Sequence, residues 1–126
     1  MPPRYFTLEE ANKLIPEISP LISDLLERRA RVAQAQKRIP HIIENIYDNV
    51  GNPLATQIAH EFVIMEELLT QIKSYGCEVK NLNIGLIDFL ATRDGREVYL
   101  CWRYGEPRIE YYHELHTGFN GRRPIE

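Results

Sequence analysis

The chain has 126 residues, of which 44% are hydrophobic and 26% are charged. This balance is typical of one globular domain and excludes a disordered or collagen-like chain. The formal net charge of −3 provides no field that would attract nucleic acid or an anionic membrane, so we expect neither as a partner.

Signals in the first third of the chain predict helices. Thr7 followed by Glu10 is a capping box, which predicts a short helix from about residue 7. Pro16 should end that helix, and Ser19 followed by Pro20 should begin a second one, because proline is tolerated best in the first helical turn. The second helix then carries a stripe at steps of three and four: Leu21, Leu25, Arg28, Val32, Ala35 and Ile39.

The segment after this stripe contains a proline and ends at a glycine. Pro40 is expected to kink or split the helix, and an apolar face continues beyond it to Gly51. The residues of that face are Ile43, Ile46, Tyr47 and Val50. Asn52 followed by Pro53 predicts the start of the next helix. Its apolar residues repeat at helical spacing: Ala55, Ile58, Phe62, Met65, Leu69 and Ile72.

The short connection near Gly51 predicts that the two long helices are antiparallel neighbours in a helical hairpin. Val63 and Ile64 lie opposite the predicted seam, and two helices cannot bury both of their faces by themselves. We therefore expect a second copy of the chain to cover this surface, in a homodimer or a higher homo-oligomer.

Composition changes once, near Gly76, to the alternating apolar and polar residues typical of strands. The predicted fold class is therefore α+β, with a long antiparallel helical hairpin in residues 7–75 and a small three-stranded antiparallel sheet in residues 76–126. The whole chain, residues 1–126, is interpreted as one domain. The three strands are predicted at about residues 86–92, 97–103 and 108–113.

Two turns set the predicted register of this sheet. The Asp94–Gly95 pair suits a type I′ turn, in which both central residues need positive φ, and it places Asp88 opposite Cys101. A four-residue second turn, 104–107, would place Cys101 opposite Glu110. One face is then almost wholly apolar and is expected to pack on the helices: Ile87, Phe89, Ala91, Val98, Leu100, Trp102, Ile109, Tyr111 and His113.

The opposite, mixed face carries Asp88, Cys101 and Glu110 in one predicted cross-strand row. These side chains, with His113 or His116, are candidate ligands of a divalent metal, because Zn²⁺ binds carboxylate oxygen, thiolate sulfur and imidazole nitrogen. No metal motif of diagnostic spacing is present, and the sequence favours a solvated face balanced by neighbouring arginines. The two histidines should point to opposite faces of an extended segment, and only a turn would bring them together.

Cys101 is a poor candidate nucleophile, because neighbouring carboxylates raise the pKa of a thiol. A ligand site, if the protein has one, is expected to involve Glu106 and His113 near the mixed face. Phe119 would anchor the C-terminal tail and bring Arg122 and Arg123 over this face as a lid for an anionic ligand. The alternative is a structural Glu–Arg pair that pins the tail.

Four segments and His113 carry a family resemblance. The segments are YFTLEEANKLIP at 5–16, GCEVKNLNIGLIDF at 76–89, GREVYLCWRYGE at 95–106 and GFNGRRPI at 118–125. Together they resemble a bacterial family catalogued as domain of unknown function 2203, over nearly the whole chain. The resemblance implies an uncharacterised protein with no established activity, and its motifs include Asp88, Cys101 and Glu106.

The cysteine content indicates the compartment. Cys77 and Cys101 are too few for a disulfide scaffold, and the N-terminus lacks the apolar stretch of a signal peptide. We therefore expect a cytoplasmic protein without a membrane span. The leading interpretation of function is a homo-oligomeric binding or protein-interaction module. The alternative is a small metal-dependent or acid/base enzyme that acts on an anionic small molecule, and the sequence leaves open whether the protein is an enzyme.

Overall fold

The computed structural model describes residues 4–38 and 53–126. Two helices come first, α1 (Leu8–Gln36) and α2 (Pro53–Ser74). One antiparallel sheet follows, with its strands neighbouring in chain order. The strands are β1 (Glu78–Asn81), β2 (Leu86–Arg93), β3 (Arg96–Arg103), β4 (Tyr111–Glu114) and β5 (Arg123–Pro124), with a 3₁₀ helix at Phe119–Gly121. The α+β class is confirmed, but the sheet has five strands rather than three.

The two strands that the sequence did not predict lie at the edges of the sheet. β1 has a single half-buried residue, Val79, between exposed neighbours, and β5 is two residues long and contains Pro124. Edge strands are commonly short, charged or proline-containing, because such residues discourage pairing with other chains. They therefore carry little of the apolar alternation from which strands are predicted.

α1 is one continuous helix, so the predicted break at Pro16 and restart at Pro20 is wrong. Both prolines are exposed, and water can therefore solvate the carbonyls that lose their amide partners. The capping box is confirmed: the Glu10 amide donates to Thr7 Oγ1, and the Thr7 amide donates to Glu10 Oε1. The face that packs on the core runs unbroken past the prolines: Ala11, Ile15, Ile18, Ile22 and Leu25.

α2 packs against α1, and Arg28 of α1 forms an ion pair with Glu61 of α2, Nη1 to Oε2 at 3.0 Å. Of the stripe predicted on α2, Met65 and Ile72 are buried, whereas Phe62 is 48% exposed. The predicted hairpin connection lies outside the described residues, so two packed helices are what the structure describes. The other predictions that lie outside the described residues are those for Ile39, the Pro40 kink, the apolar residues Ile43, Ile46, Tyr47 and Val50, and the Gly51–Asn52 helix boundary.

The predicted register between β2 and β3 is confirmed. Arg93 pairs with Arg96, and Asp88 lies directly opposite Cys101. Asp94 and Gly95 have φ values of 52° and 78°, as a type I′ turn requires. The Asp94–Gly95 turn therefore fixes which residues of these two strands share a face.

The predicted register between β3 and β4 is wrong by one residue, because Cys101 pairs with Tyr111 and not with Glu110. The connection, residues 104–110, is longer than predicted. Within it, Ile109 is buried against the helices, and its amide donates to Asn12 Oδ1 of α1 at 2.7 Å.

A shift of one residue exchanges the two faces of β4. Tyr112, opposite Leu100, is therefore the β4 residue that joins the core. His113, opposite Tyr99, lies on the Asp88 face, and Tyr111 does so as well; both were predicted to pack on the helices.

The main core lies between the helices and one face of the sheet. Phe6, just before α1, meets Phe89 edge to face, with ring centroids 5.1 Å apart. The other sheet residues of this core are Ile87, Ala91, Val98, Leu100, Trp102 and Tyr112. Neither described helix combines the length and apolar character needed to cross a bilayer. The opposite face of the sheet is covered in part by the C-terminal tail, and the candidate site lies there.

Candidate metal centre

Three adjacent strands bring a carboxylate, a thiol and an imidazole together. Asp88 of β2 lies opposite Cys101 of β3, and the β3–β4 register places His113 on the same face. All three side chains are buried, and their potential ligand atoms lie within 4.8 Å of one another. Sequence analysis singled out these three residues, but it placed His113 on the other face of the sheet.

Hydrogen bonds fix the orientation and tautomer of His113. Its Nδ1 lies 2.7 Å from the Glu114 carbonyl oxygen, which can only accept, so Nδ1 carries a hydrogen. Its Nε2 lies 2.9 Å from Asp88 Oδ2, and the buried pair therefore shares one proton at this contact. A histidine whose Nδ1–H donates to a backbone carbonyl presents Nε2 as its ligand atom, which is the usual arrangement at protein metal sites.

Burial dominates the electrostatics of the other two residues. It raises the pKa of the Asp88 carboxyl, while the neighbouring His113 acts in the opposite direction. Burial also raises the pKa of the Cys101 thiol, and the charge of Asp88 raises it further. Without a cation, Cys101 is therefore a protonated thiol. Asp88 Oδ1 is buried and has no hydrogen-bond partner among residues 4–38 and 53–126.

A cleft of about 380 Å³ opens beside Asp88 and His113. A turn follows β4, in which the Thr117 amide donates to the Glu114 carbonyl at 3.2 Å. The sequence predicted that only a turn could bring His113 and His116 together. With this turn, both histidines line the same cleft. The lining also includes Lys80, Asn81, Leu86, Leu115, Gly118 and Phe119.

The C-terminal tail is clasped over the site by one arginine. Arg122 donates from Nη2 to both carboxylate oxygens of Glu106, at 2.7 and 2.8 Å, and reaches the Cys101 carbonyl at 3.4 Å. Its guanidinium lies 4.1 Å from the centre of the Tyr111 ring and 4.9 Å from that of Phe119. This is the Glu–Arg pair that the sequence offered as an alternative to an anion lid.

One known protein family matches the sequence over almost its whole length, including all residues of this site. Residues 4–125 match the family described as uncharacterized conserved protein, DUF2203. The chain belongs to this family. Asp88, Cys101 and His113 all lie within the matched residues. Comparisons with curated proteins and with solved structures give no match.

Two other residues that the sequence predicted for the site of this DUF2203 protein, Glu110 as a metal ligand and Arg123 as an anion-binding residue, lie apart from the cluster. Glu110 precedes β4 and is exposed, and its carboxylate lies 3.5 Å from Arg108. The predicted row of Asp88, Cys101 and Glu110 is therefore wrong, because of the one-residue shift in β4. Arg123 is exposed in β5, next to the half-buried Glu106–Arg122 pair but not part of it.

β1 contributes two charged residues that sequence analysis missed. Glu78 lies opposite Asp88 in the sheet, and its carboxylate pairs with Lys80 at 2.7 Å. The Lys80 ammonium also lies 4.8 Å from the centre of the Tyr99 ring, and its pKa is raised, chiefly by the hydrogen bond to Glu78. The only signal was one polar–apolar–polar alternation around Val79, which is too short to predict a strand.

Proposed function

We propose that this protein binds a divalent transition metal, with Zn²⁺ as the best fit, through Asp88, Cys101 and His113. The observation that supports this most directly is the unpartnered Asp88 Oδ1, which is buried beside a thiol and an imidazole that can both bind a metal. A buried carboxylate oxygen without a partner is costly to the fold, and a bound cation would satisfy it.

The chemistry of the three donors suits zinc. Oxygen, sulfur and nitrogen ligands together are typical of Zn²⁺, and three protein ligands leave one position of a tetrahedral site for water or substrate. A carboxylate and a thiolate also carry two negative charges, which match a divalent cation. This charge balance permits a buried site without a further ion pair.

A second layer of contacts holds His113 in place for this role. The Glu114 carbonyl accepts from His113 Nδ1, and the Glu114 carboxylate receives three hydrogen bonds from Arg96, at 2.8 to 3.1 Å. Such outer contacts orient metal-bound imidazoles and affect metal affinity. Both cysteines are free, and we propose a cytoplasmic location, where a reducing environment keeps Cys101 available as a ligand.

Cobalt titration tests this proposal, since Co²⁺ substitutes for Zn²⁺ and reports its ligands by absorption. We expect Co²⁺ to give a thiolate-to-metal band and the visible bands of a four-coordinate site, and Zn²⁺ to displace it. Cys101→Ala and His113→Gln should abolish the signal. Cys77→Ala is the matched control, because Cys77 is also buried but its Sγ donates to the Ile72 carbonyl and is not among the three clustered ligand atoms.

The proposal fails if the wild-type protein gives no cobalt bands. It also fails if Cys77→Ala removes the bands while Cys101→Ala leaves them. Circular dichroism of each variant shows that lost binding is not lost folding. Elemental analysis of protein purified without an affinity tag gives an independent count of metal per chain.

We also propose self-association through α2, as the sequence suggested. Phe62 and Val63 are 48% and 55% exposed, whereas Ile64 is half-buried against the core and does not belong to the free surface. Burying an apolar side chain of this size stabilises a complex by about 1.5 to 3 kcal/mol. Light scattering should give a mass above the monomer that Val63→Glu reduces and that Gln57→Glu, the same charge elsewhere on α2, does not. A monomeric mass at all concentrations refutes this proposal.

A further inference from the structure

The candidate metal centre supplies three protein ligands and borders a cleft. Among the described residues, no fourth histidine, cysteine, aspartate or glutamate brings a donor atom into the same 4.8 Å group. Asp88 and His113, two of the three ligands, line the cleft themselves. The fourth coordination position of a metal held there would therefore face the cleft.

One positively charged side chain, that of Lys80, contributes to the lining of this cleft. Lys80 lines it and follows Glu78, the residue opposite Asp88. Its ammonium is held over the Tyr99 ring, on the face of the sheet that carries Asp88 and His113.

Size and polarity define what the cleft can hold. Its volume of about 380 Å³ lies at the lower end of the roughly 300–1,000 Å³ typical of small-molecule sites. Leu86, Leu115 and Phe119 form apolar walls, while Lys80 and Asn81 supply hydrogen-bond donors. A divalent metal bound by two anionic ligands has no net charge, so an incoming anion needs another cation. Lys80, which is paired with Glu78 in this structure, is the lysine that lines the cleft and could pair with the anion instead.

From these contacts we infer that the cleft binds a small molecule with a carboxylate or phosphate group, one oxygen of which takes the open metal position while Lys80 pairs with the anionic group. This inference rests on the proposed metal site. It assigns to Lys80 the role of a ligand-binding residue and to the metal the role of a Lewis acid.

The test uses cobalt-loaded full-length protein and two probes, oxalate and inorganic phosphate, with oxamide as the neutral analogue of oxalate. The anions should shift the visible cobalt bands in a saturable way, and oxamide should not. Lys80→Met should weaken anion binding about tenfold or more, as expected for a lost hydrogen bond between charged groups. Glu78→Gln, which releases Lys80 from its ion pair, should strengthen it. Lys73→Met, an exposed lysine at the end of α2, is the control.

The outcomes separate this inference from the metal proposal. If cobalt binds but neither anion shifts its bands, or if Lys80→Met binds the anions as well as Lys73→Met does, the anion site is refuted while the metal site stands. If instead His116→Ala alters the bands in the absence of any anion, His116 occupies the fourth position and the open-site inference is wrong. If cobalt does not bind at all, both proposals fail.

Discussion

Removing one member of the buried Asp88–His113 pair should destabilise the metal-free protein strongly. His113→Leu removes the hydrogen bond to Asp88 Oδ2 and leaves the Asp88 carboxyl, which is 1% exposed, beside the Cys101 thiol, a weak donor. Breaking a buried pair in this way costs about 3–5 kcal/mol. For a domain of this length, a loss of 3 kcal/mol lowers the melting temperature by roughly 10–15 °C.

Removing both members should cost far less. The double variant Asp88→Val with His113→Leu removes both members of the buried pair, and replacing a buried pair by apolar residues of similar size is often neutral or stabilising. We expect its unfolding free energy to lie within about 1 kcal/mol of the wild-type value. The coupling energy between the two positions is then several kcal/mol, and the double variant is stable but unable to bind metal.

Urea unfolding in the presence of EDTA measures all four proteins of this cycle. Lys13→Ala is the control for an exposed ion pair, with Glu9 3.5 Å away, and should change stability by less than about 0.5 kcal/mol. If the double variant is as unstable as the sum of the two single variants, the coupling energy is zero and each residue stabilises the fold independently of the other. In that case the burial of the pair provides no argument for a metal.

Three further predictions concern the frame of the site. Gly95→Val should destabilise the protein by about 1–2 kcal/mol in urea unfolding, because φ is 78° there while open space surrounds the added side chain. The hydrogen bond with Arg96 lowers the pKa of Glu114. The stability that the ionised Glu114 carboxylate contributes is therefore lost as the pH falls below about 4 and this carboxylate is protonated. Arg96→Met should therefore lose less stability than wild type on acidification over that range. Arg122→Met should speed proteolysis of the tail, as followed by mass spectrometry, whereas Arg123→Met should not.

Local signals predicted the parts of the fold that local interactions determine. The capping box before α1 and the Asp94–Gly95 turn each depend on a few neighbouring residues, and both are as expected. The turn alone was enough to place Asp88 opposite Cys101. The continuity of α1 through Pro16 depends instead on the long apolar face that packs on the sheet, and helix propensity does not report such packing.

The position of His113 could not be read from neighbouring residues. It depends on the length of the 104–110 connection, which is set by contacts between Ile109 and α1 far away in the chain. The turn predicted at 104–107 is shorter than this connection, so the last predicted strand is displaced by one residue relative to β3. This error placed Glu110 on the face of Asp88 and His113 on the core face, although both residues had been considered as metal ligands.

The same geometry explains why a metal site here has no recognisable sequence motif. Motifs with fixed spacing arise where one turn or one helix supplies two ligands. Asp88, Cys101 and His113 are spaced by 13 and 12 residues, and each lies on a different strand. Each spacing is set by how far a residue lies from the end of its strand and by the length of the connection to the next strand. The spacings therefore follow from the geometry of the sheet and form no pattern typical of metal ligands. If the 104–110 connection were one residue shorter, so that Glu110 paired with Cys101, the register of β4 would shift by one and His113 would turn to the core face. The anchoring of Ile109 by Asn12 is therefore a condition for the site as much as for the fold.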